Sequence, residues 1–375
     1  MRNISTSDQH LIMKLMDKYL LREYMVPVVY CMIAFPMVFV VYDLFDHLSK
    51  FIEAGTALVV AVRYYLCVLT SALEYFVPAS LLLATLYTLW RLTRKNELTA
   101  MRASGVSLYR IMLPFLIVGL IFSITSAIIK ETVAPMAQQW ADDFSKNGYR
   151  EPEHKFYPDR AFYNSTTRRL WLINKFDLKH PHHLEGVKVT QERGDNPKAV
   201  EIIAEKAEWL DGQWWFFNGR VQRYNANGSL DGEPESLSPL GAEMQALTEE
   251  PSSFVSEVKP WEFLSTLEMI RYLNSHPDLS NQAIARKKFD LHSRLAMPWA
   301  CFIVMLFGIP VGAKSGRQNL LAGIFLAMAF FFGFYALTQV GLFLGKTQII
   351  WPWLGAWLSN MVFLVVGIGM VRRMR

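Results

Sequence analysis

Cysteine is scarce in this sequence, and its few copies form no pattern. Among 375 residues there are three, Cys31, Cys67 and Cys301, and each lies inside a long apolar run. Disulfide frameworks and zinc sites need paired or regularly spaced cysteines, which the chain does not offer. We therefore expect all three thiols to be simple packing residues.

A large excess of charge of one sign is also missing. The 38 lysines and arginines against 33 aspartates and glutamates give a net charge of +5, too small to indicate a nucleic-acid partner. A cleavable signal pattern is not visible either, because Met1–Asp8 is polar and no small-residue cleavage site follows. The segment Leu11–Met25 has apolar residues and cations at helical spacing. It predicts either an interfacial helix lying along the membrane or a plain extension of the first span.

The motifs of nucleotide binding, catalysis and metal binding are incomplete or absent. The nearest match to a phosphate-binding loop, Gly341–Thr347, is one residue short and lies at the predicted outer end of a span, so we expect a loop that binds no ATP. A catalytic constellation of the Ser/His, paired-aspartate or H-E-x-x-H type is not visible within the spans, which argues against an intramembrane hydrolase. Three histidines, His180, His182 and His183, are interpreted as part of a polar loop, since no cysteine or acidic cluster accompanies them. The sequence predicts no catalytic residue, metal or cofactor.

Six long apolar runs are the main feature that the chain does have. Each is close to the roughly 20 residues with which a helix crosses the hydrocarbon core of a bilayer. The runs are Val26–Leu48, Leu66–Leu92, Leu108–Ile129, Leu295–Val311, Leu320–Leu344 and Ile349–Val371. We predict a membrane α-helical protein with six transmembrane helices, three in an N-terminal half (1–130) and three in a C-terminal half (282–375).

The polar stretch between the halves, residues 131–281, is predicted to be an inserted all-β domain. Short alternating or apolar segments lie between turn signals, and Asp211-Gly212 joins two of them as a hairpin. Short, regularly spaced strands favour a jellyroll-like sheet over a β-α-β enzyme domain. A helical return segment follows, with Ser265 and Glu268 placed as a capping box.

The distribution of cations predicts the orientation. Lysine and arginine are concentrated in the N-terminal arm, the second and fourth connections and the C-terminal tail, and they are rare in the first and fifth connections. The positive-inside rule then places both termini in the cytoplasm and the β domain outside, which is the periplasm of a Gram-negative cell.

Several motifs carry a family resemblance. The second connection reads N-E-L-T-A-M-R-A-S-G-V-S at 96–107, and the fourth span begins R-L-A-M-P at 294–298 and ends F-G-I-P-V-G at 307–312. The junctions T-V-A-P at 132–135 and K-P-W-E at 259–262 fit as well. In these motifs and in the order of its elements, nearly the whole chain resembles the LptF/LptG (YjgP/YjgQ) lipopolysaccharide-export permeases, with a slight lean toward LptG.

The resemblance implies a non-catalytic permease subunit of an ABC transporter that extracts lipopolysaccharide from the inner membrane. The implied partners are a paralogous permease, a dimeric cytoplasmic ATPase that hydrolyses the ATP, and a periplasmic β-jellyroll bridge protein that receives the lipid for export to the outer membrane. The family has no cofactor.

The second connection, about residues 95–109, is predicted to be the helix that couples the ATPase to the spans. It is short, rich in helix-forming residues and ended by Gly105 at a suitable C′ position. In the family the acid that matches Glu97 faces the ATPase. Met101 and Arg102 lie in the same motif, and Arg102 offers a second charged contact. A solvated loop with ordinary positive-inside charges is the alternative.

Basic residues near the outer interface are candidate contacts for lipid A phosphates, because arginine and lysine bind phosphate strongly. They are Lys50, Arg63, Arg286, Lys287, Lys288 and Arg294. The alternative for the last four is a basic helix end among ordinary anionic lipids. Phe331, Phe334 and Tyr335 in the fifth span are candidates to line the acyl-chain cavity that the resemblance implies. Glu74, in the second span, is predicted to be interfacial.

A different class of function stays open at this point. An inner-membrane scaffold could present the β domain for envelope assembly without moving lipid. The motif around Glu97 discriminates the two, since a scaffold needs no coupling element.

Overall fold

The computed structural model describes residues 6–150, 156–164, 167–178, 180–193, 196–225, 228–236, 247–276, 279–314 and 320–373. The chain divides into two compact units, one of Met1–Arg150 with Ala285–Arg375 and the other of Glu151–Ile284. The first unit extends beyond the predicted boundary at 130, because the helix Ala134–Lys146 packs against the membrane helices rather than joining the sheet.

The first unit is helical. Its helices are α1 (Thr6–Ala54), α2 (Leu58–Arg94), α3 (Glu97–Ala103), α4 (Leu108–Thr132), α5 (Ala134–Lys146), α8 (Asn281–Ala296), α9 (Ala300–Lys314), α10 (Leu320–Lys346) and α11 (Pro352–Arg372). Among the described residues, six helices are long and apolar enough to cross a membrane, with α8 and α9 together forming one of them. The six predicted spans are confirmed.

The first helix runs without a break from Thr6 to Ala54, and Pro27 and Pro36 lie inside it. The alternative of a separate interfacial helix at Leu11–Met25 is therefore wrong, and this segment extends the first span. Leu20 and Tyr24, on one face of the extension, are almost fully buried against α2 and α4. This packing stabilises the extension as helix.

The fourth span is interrupted within its helix. The helix α8 ends at Ala296, a single 3-10 turn follows at Met297–Trp299, and α9 continues from Ala300. Pro298 lies in this turn and has no N–H to donate, and the N–H of Ala300 bonds to the carbonyls of Met297 and Pro298. Such a break leaves backbone groups in the span without their helical partners.

Side chains of two neighbouring spans hydrogen-bond backbone groups at this break. The Asn360 amide on α11 donates to the Ala296 carbonyl at 2.7 Å, and the Phe302 N–H donates to the Ser123 hydroxyl on α4 at 3.1 Å. Both polar side chains are buried. Non-helical backbone is tolerated at membrane depth when neighbouring helices satisfy its polar groups, and these contacts meet that condition.

The helices α10 and α11 approach each other closely at glycines. An added Cβ at Gly341 would lie 2.2 Å from the carbonyl oxygen of Gly355, and one at Gly355 would lie 3.0 Å from the Cα of Gly345. Small residues at helix contacts in membranes permit such an approach. Because Gly341 and Gly345 lie inside α10, the prediction of a loop at Gly341–Thr347 is wrong for all but its last residue.

The second unit contains one antiparallel sheet followed by short helices. The described strands are β1 (Phe156–Asn164), β2 (Arg169–Asp177), β3 (His183–Arg193), β4 (Asn196–Leu210), β5 (Gln213–Phe217), β6 (Arg220–Arg223) and β7 (Glu235–Ser236). Neighbours in the chain pair from β1 to β4, and the long β4 then pairs with both β5 and β6. The predicted membrane helices with an inserted all-β domain are confirmed.

The predicted hairpin and capping box are confirmed. Leu210 pairs with Gln213 across Asp211 and Gly212, which both have positive φ, as a type I′ turn requires. The helix α7 (Thr266–Ser275) begins with reciprocal hydrogen bonds between Ser265 and Glu268. Burial alone would raise the pKa of the Glu268 carboxyl, but its bonds to Ser265 and the charge of Lys259 lower it overall.

Aromatic side chains fill the core of the sheet. Trp171, Trp214 and Phe254 pack with ring centroids 5.0–5.6 Å apart, and Phe254 comes from the helix α6 (Pro251–Val258). The segment before α6 is fixed by a buried ion pair, Arg169 to Glu249 at 2.6 Å. The β domain therefore has a core of its own.

Candidate coupling site and lipid-facing residues

The predicted coupling segment contains a seven-residue helix, α3, between the second and third spans. Leu98 is buried at 5% exposure, and Met101 and Val106 pack on the same apolar cluster, which contains Leu20 and Tyr24 of α1. This side of α3 is the one that holds it to the membrane helices. Thr99 and Ala100, which point away from this side, are exposed, and so is the side chain of Arg102.

The end of α3 is fixed by its glycine, as the sequence predicts. Gly105 has φ of +88°, its N–H donates to the Arg102 carbonyl at 3.0 Å, and the Val106 N–H donates to the Met101 carbonyl at 3.1 Å. These two bonds form a Schellman motif, in which the apolar side chains of Val106 and Met101 are the usual contact pair. The segment is therefore a capped helix rather than a loop.

Three residues on α1 make polar contacts at this end of the unit. Tyr19 donates to the Glu97 carboxylate at 2.6 Å, Glu23 pairs with Arg91 at 2.8 Å, and Asp17 pairs with Arg110. Arg91 lies in the last turn of α2 and Arg110 in the first turn of α4, so α1 contacts α3 and both of its flanking helices.

Sequence reasoning identified Glu97 but not its partner on α1. Tyr19 and Glu97 are 78 positions apart, and no spacing rule links them. The helical periodicity of Leu11–Met25 predicts that this segment is a helix with an apolar face. It does not show that this face packs on other helices of the chain rather than on lipid. Glu97 remains partly exposed, with its side chain at 28%, and Arg102 is exposed. Both can reach a partner.

Lys50 and Arg63 lie at the other end of α1 and α2. The Lys50 ammonium is 5.7 Å from the centre of the Tyr149 ring, and the Arg63 guanidinium is 4.3 Å from that of Trp140. Both cations are exposed and stand over an aromatic cluster that joins α1, α2 and α5. Their charged groups therefore stay available to an anion.

The four cations of the fourth span are all on α8. Arg286 and Lys288 are exposed, while Lys287 and Arg294 are half-buried and have partners within the chain. The helix is held to the end of α10 by Asp290, which pairs with Lys346 at 2.7 Å.

The three candidate cavity residues of α10 have different surroundings. Phe334 is 2% exposed and packs against Phe307 and Phe363, so it lies inside the helix bundle. Phe331 is half-buried and packs against Tyr335 with ring centroids 4.7 Å apart and the rings tilted at 57°. The Tyr335 hydroxyl donates to the Glu74 carbonyl at 2.8 Å, which attaches α10 to α2.

Two other predicted groups have ordinary polar partners. The Glu74 carboxylate pairs with Lys130 on α4, so this span acid is part of an ion pair between helices. In the β domain His180 lies 2.9 Å from Asp177 and His183 lies 3.1 Å from Glu208. The three cysteines form no disulfide, and Cys301 is buried.

In the described residues, six apolar helices, the short capped helix α3 between the second and third of them, and an inserted antiparallel β domain define a multi-pass membrane protein. The family model described as lipopolysaccharide export system permease LptF/LptG matches residues 18–373, nearly the whole chain. The chain belongs to this family and is a multi-pass protein of the inner membrane with a permease role in lipopolysaccharide export. No curated protein matched the chain.

Proposed function

We propose that this chain is the permease subunit of an ABC transporter that extracts lipopolysaccharide from the inner membrane under the drive of a separate ATPase. The observation that carries the proposal is α3, an ordered helix with one anchored side and one exposed side between two spans. A scaffold without transport has no need for such an element. In this arrangement both termini and α3 face the cytoplasm, and the β domain is periplasmic.

The proposal assigns roles to the remaining candidate residues. Glu97 and Arg102 contact the ATPase, while Met101 and Gly105 fix the position of α3. Lys50, Arg63 and the exposed cations of α8 contact lipid phosphates, to which arginine and lysine bind strongly. Phe331 and Tyr335 line the acyl-chain cavity, whereas Phe334 is buried inside the helix bundle and holds α10 in place instead.

The handover partner is a periplasmic protein of similar β-jellyroll fold, and a paralogous permease completes the membrane part. In the described sheet β1 pairs with β2 on one side. The other edge of β1 offers backbone donors and acceptors of the kind used in strand addition.

Reversing the charge at Glu97 tests the proposal. We expect Glu97→Lys to weaken ATPase association and to lower ATP-driven lipopolysaccharide release, because loss of one member of a buried charge pair costs about 2–5 kcal/mol. Arg102→Glu should have the same direction of effect. The measurement is co-purification of the complex and lipid release from proteoliposomes.

The matched control is Glu233→Lys, the same charge change at an exposed position of the β domain. It should associate and transport as wild type does. Unchanged association and transport in Glu97→Lys would contradict the coupling role of α3. Intact association without any ATP-dependent lipid release in the wild-type complex would favour the scaffold.

A further inference from the structure

The contact between Tyr19 and Glu97 joins two elements with different surroundings. Glu97 begins α3, which is only seven residues long and has an exposed side. Tyr19 belongs to α1, the helix that continues through the membrane as the first span. The hydroxyl–carboxylate distance of 2.6 Å is typical of a charge-assisted hydrogen bond, which is stronger than one between neutral groups.

The other two polar pairs on α1 bind different elements. Asp17 and Glu23 hold α1 to Arg110 of α4 and Arg91 of α2. They fix the first span to its neighbours but do not reach α3. Tyr19 lies between them and does reach it. A force on α3 therefore has a direct polar path to α1.

The position of Tyr19 is set by its own helix. Leu20 follows it at 0% exposure and Tyr24 at 1%, and both pack in the apolar cluster that also contains Leu98 of α3. A tyrosine side chain has only two rotatable bonds before its ring. When the backbone is held in place, the position of the hydroxyl is therefore restricted as well. The ring itself is 37% exposed, so the contact can open and close without unpacking the core.

The bond with Tyr19 leaves Glu97 able to bind a second partner. Tyr19 donates to Oε2, and the other oxygen, Oε1, lies 3.9 Å from Lys95. A carboxylate accepts about four hydrogen bonds in all. Glu97 can therefore keep its contact with α1 while it contacts a cation on another protein.

We propose that Tyr19 is a positioning residue that fastens the coupling helix to the first span, so that movement of α3 is passed to α1. The inference rests on the proposed function, because it takes α3 to be the place where the ATPase acts. Tyr19 does not touch the ATPase or the lipid. It determines how much of the movement of α3 in each ATPase cycle is passed to the first span.

Two conservative substitutions separate docking from transmission. Tyr19→Phe keeps the Glu97 charge but removes the bond, so ATPase association should be unchanged. Lipopolysaccharide released per ATP hydrolysed should fall roughly threefold to tenfold, the weight of a partly exposed hydrogen bond to a charged group. Glu97→Gln keeps an acceptor for Tyr19 but removes the charge, so association should weaken.

The experiment uses the whole complex in proteoliposomes that contain lipopolysaccharide, with thermal stability measured alongside. Tyr109→Phe is the matched control, since Tyr109 is 58% exposed near the same connection and should tolerate loss of its hydroxyl. An unchanged release-to-ATP ratio in Tyr19→Phe, with weakened association in Glu97→Gln, would overturn the inference and leave the proposed function intact. Weakened association in Tyr19→Phe would overturn it too, because the hydroxyl would then belong to the docking surface. Wild-type behaviour in both would contradict the proposed function itself.

Discussion

Three glycines determine how closely α10 and α11 approach. Gly341 and Gly345 on one helix face Gly355 on the other, and the backbone of each helix occupies the space in which a side chain would lie. In a bilayer, lipid chains are as apolar as the helix surfaces, so close packing becomes a leading source of helix association. The hairpin of these two helices depends on the absence of three side chains.

Gly341→Ala should therefore destabilise the protein. The new Cβ would lie 2.2 Å from the Gly355 carbonyl oxygen, and overpacking of this kind costs about 1–3 kcal/mol. Gly369→Ala is the control, because nothing lies within 4 Å of its added Cβ and alanine favours helix. Thermal unfolding of the purified protein in detergent, followed by tryptophan fluorescence, gives the comparison. Equal unfolding midpoints for Gly341→Ala and wild type would contradict the prediction, because the two helices could then move apart with no loss of stability.

At the scale of elements, the broken fourth span depends on its neighbours. At the 3-10 turn Met297–Trp299, the Ala296 carbonyl accepts a hydrogen bond from the side-chain amide of Asn360. The Asn360 side chain is 5% exposed. The break is thus stabilised by α11 rather than by α8 or α9 alone. Losing the amide would leave a buried carbonyl without its partner.

Asn360→Leu should lower stability by about 1–3 kcal/mol, the usual desolvation penalty of an unsatisfied buried polar group. Gln339→Leu makes a similar polar-to-apolar change at an exposed position of α10 and should have little effect. Unfolding midpoints of the two variants at one detergent concentration check the prediction. It fails if both variants melt together.

Local signals made much of the architecture predictable. Apolar length defined six spans, Asp211-Gly212 defined a hairpin, and Ser265 with Glu268 defined a helix start, because each depends on residues a few positions apart. The bond from Tyr19 to Glu97 could not be found in this way, since it depends on how α1 packs beside α3. The partner of Ala296 was equally hidden, because Pro298 signals a break but not which neighbouring side chain reaches it.

For the whole molecule, orientation in the membrane is the prediction on which the coupling role depends. Cysteines introduced at Asn96, beside α3, and at Ser229, in the β domain, are both exposed. In spheroplasts an impermeant thiol reagent should label Ser229→Cys at once and Asn96→Cys only after the membrane is opened. The native cysteines should give little background, since none of them is exposed. The reverse pattern would place α3 on the wrong side for a cytoplasmic ATPase.

The length of α1 has a mechanical consequence. Its 49 residues span about 73 Å, more than twice the roughly 30 Å of hydrocarbon, and its uncharged stretch Tyr24–Tyr42 alone covers about 28 Å. The helix must therefore protrude from both faces of the bilayer, with Tyr19 beyond one face and the cluster around Phe51 beyond the other. For a rod of this length, a tilt of about 5° about one end displaces the opposite end by about 6 Å. A small change in the tilt of α1 at one surface of the membrane would therefore move its opposite end by several ångströms at the other surface.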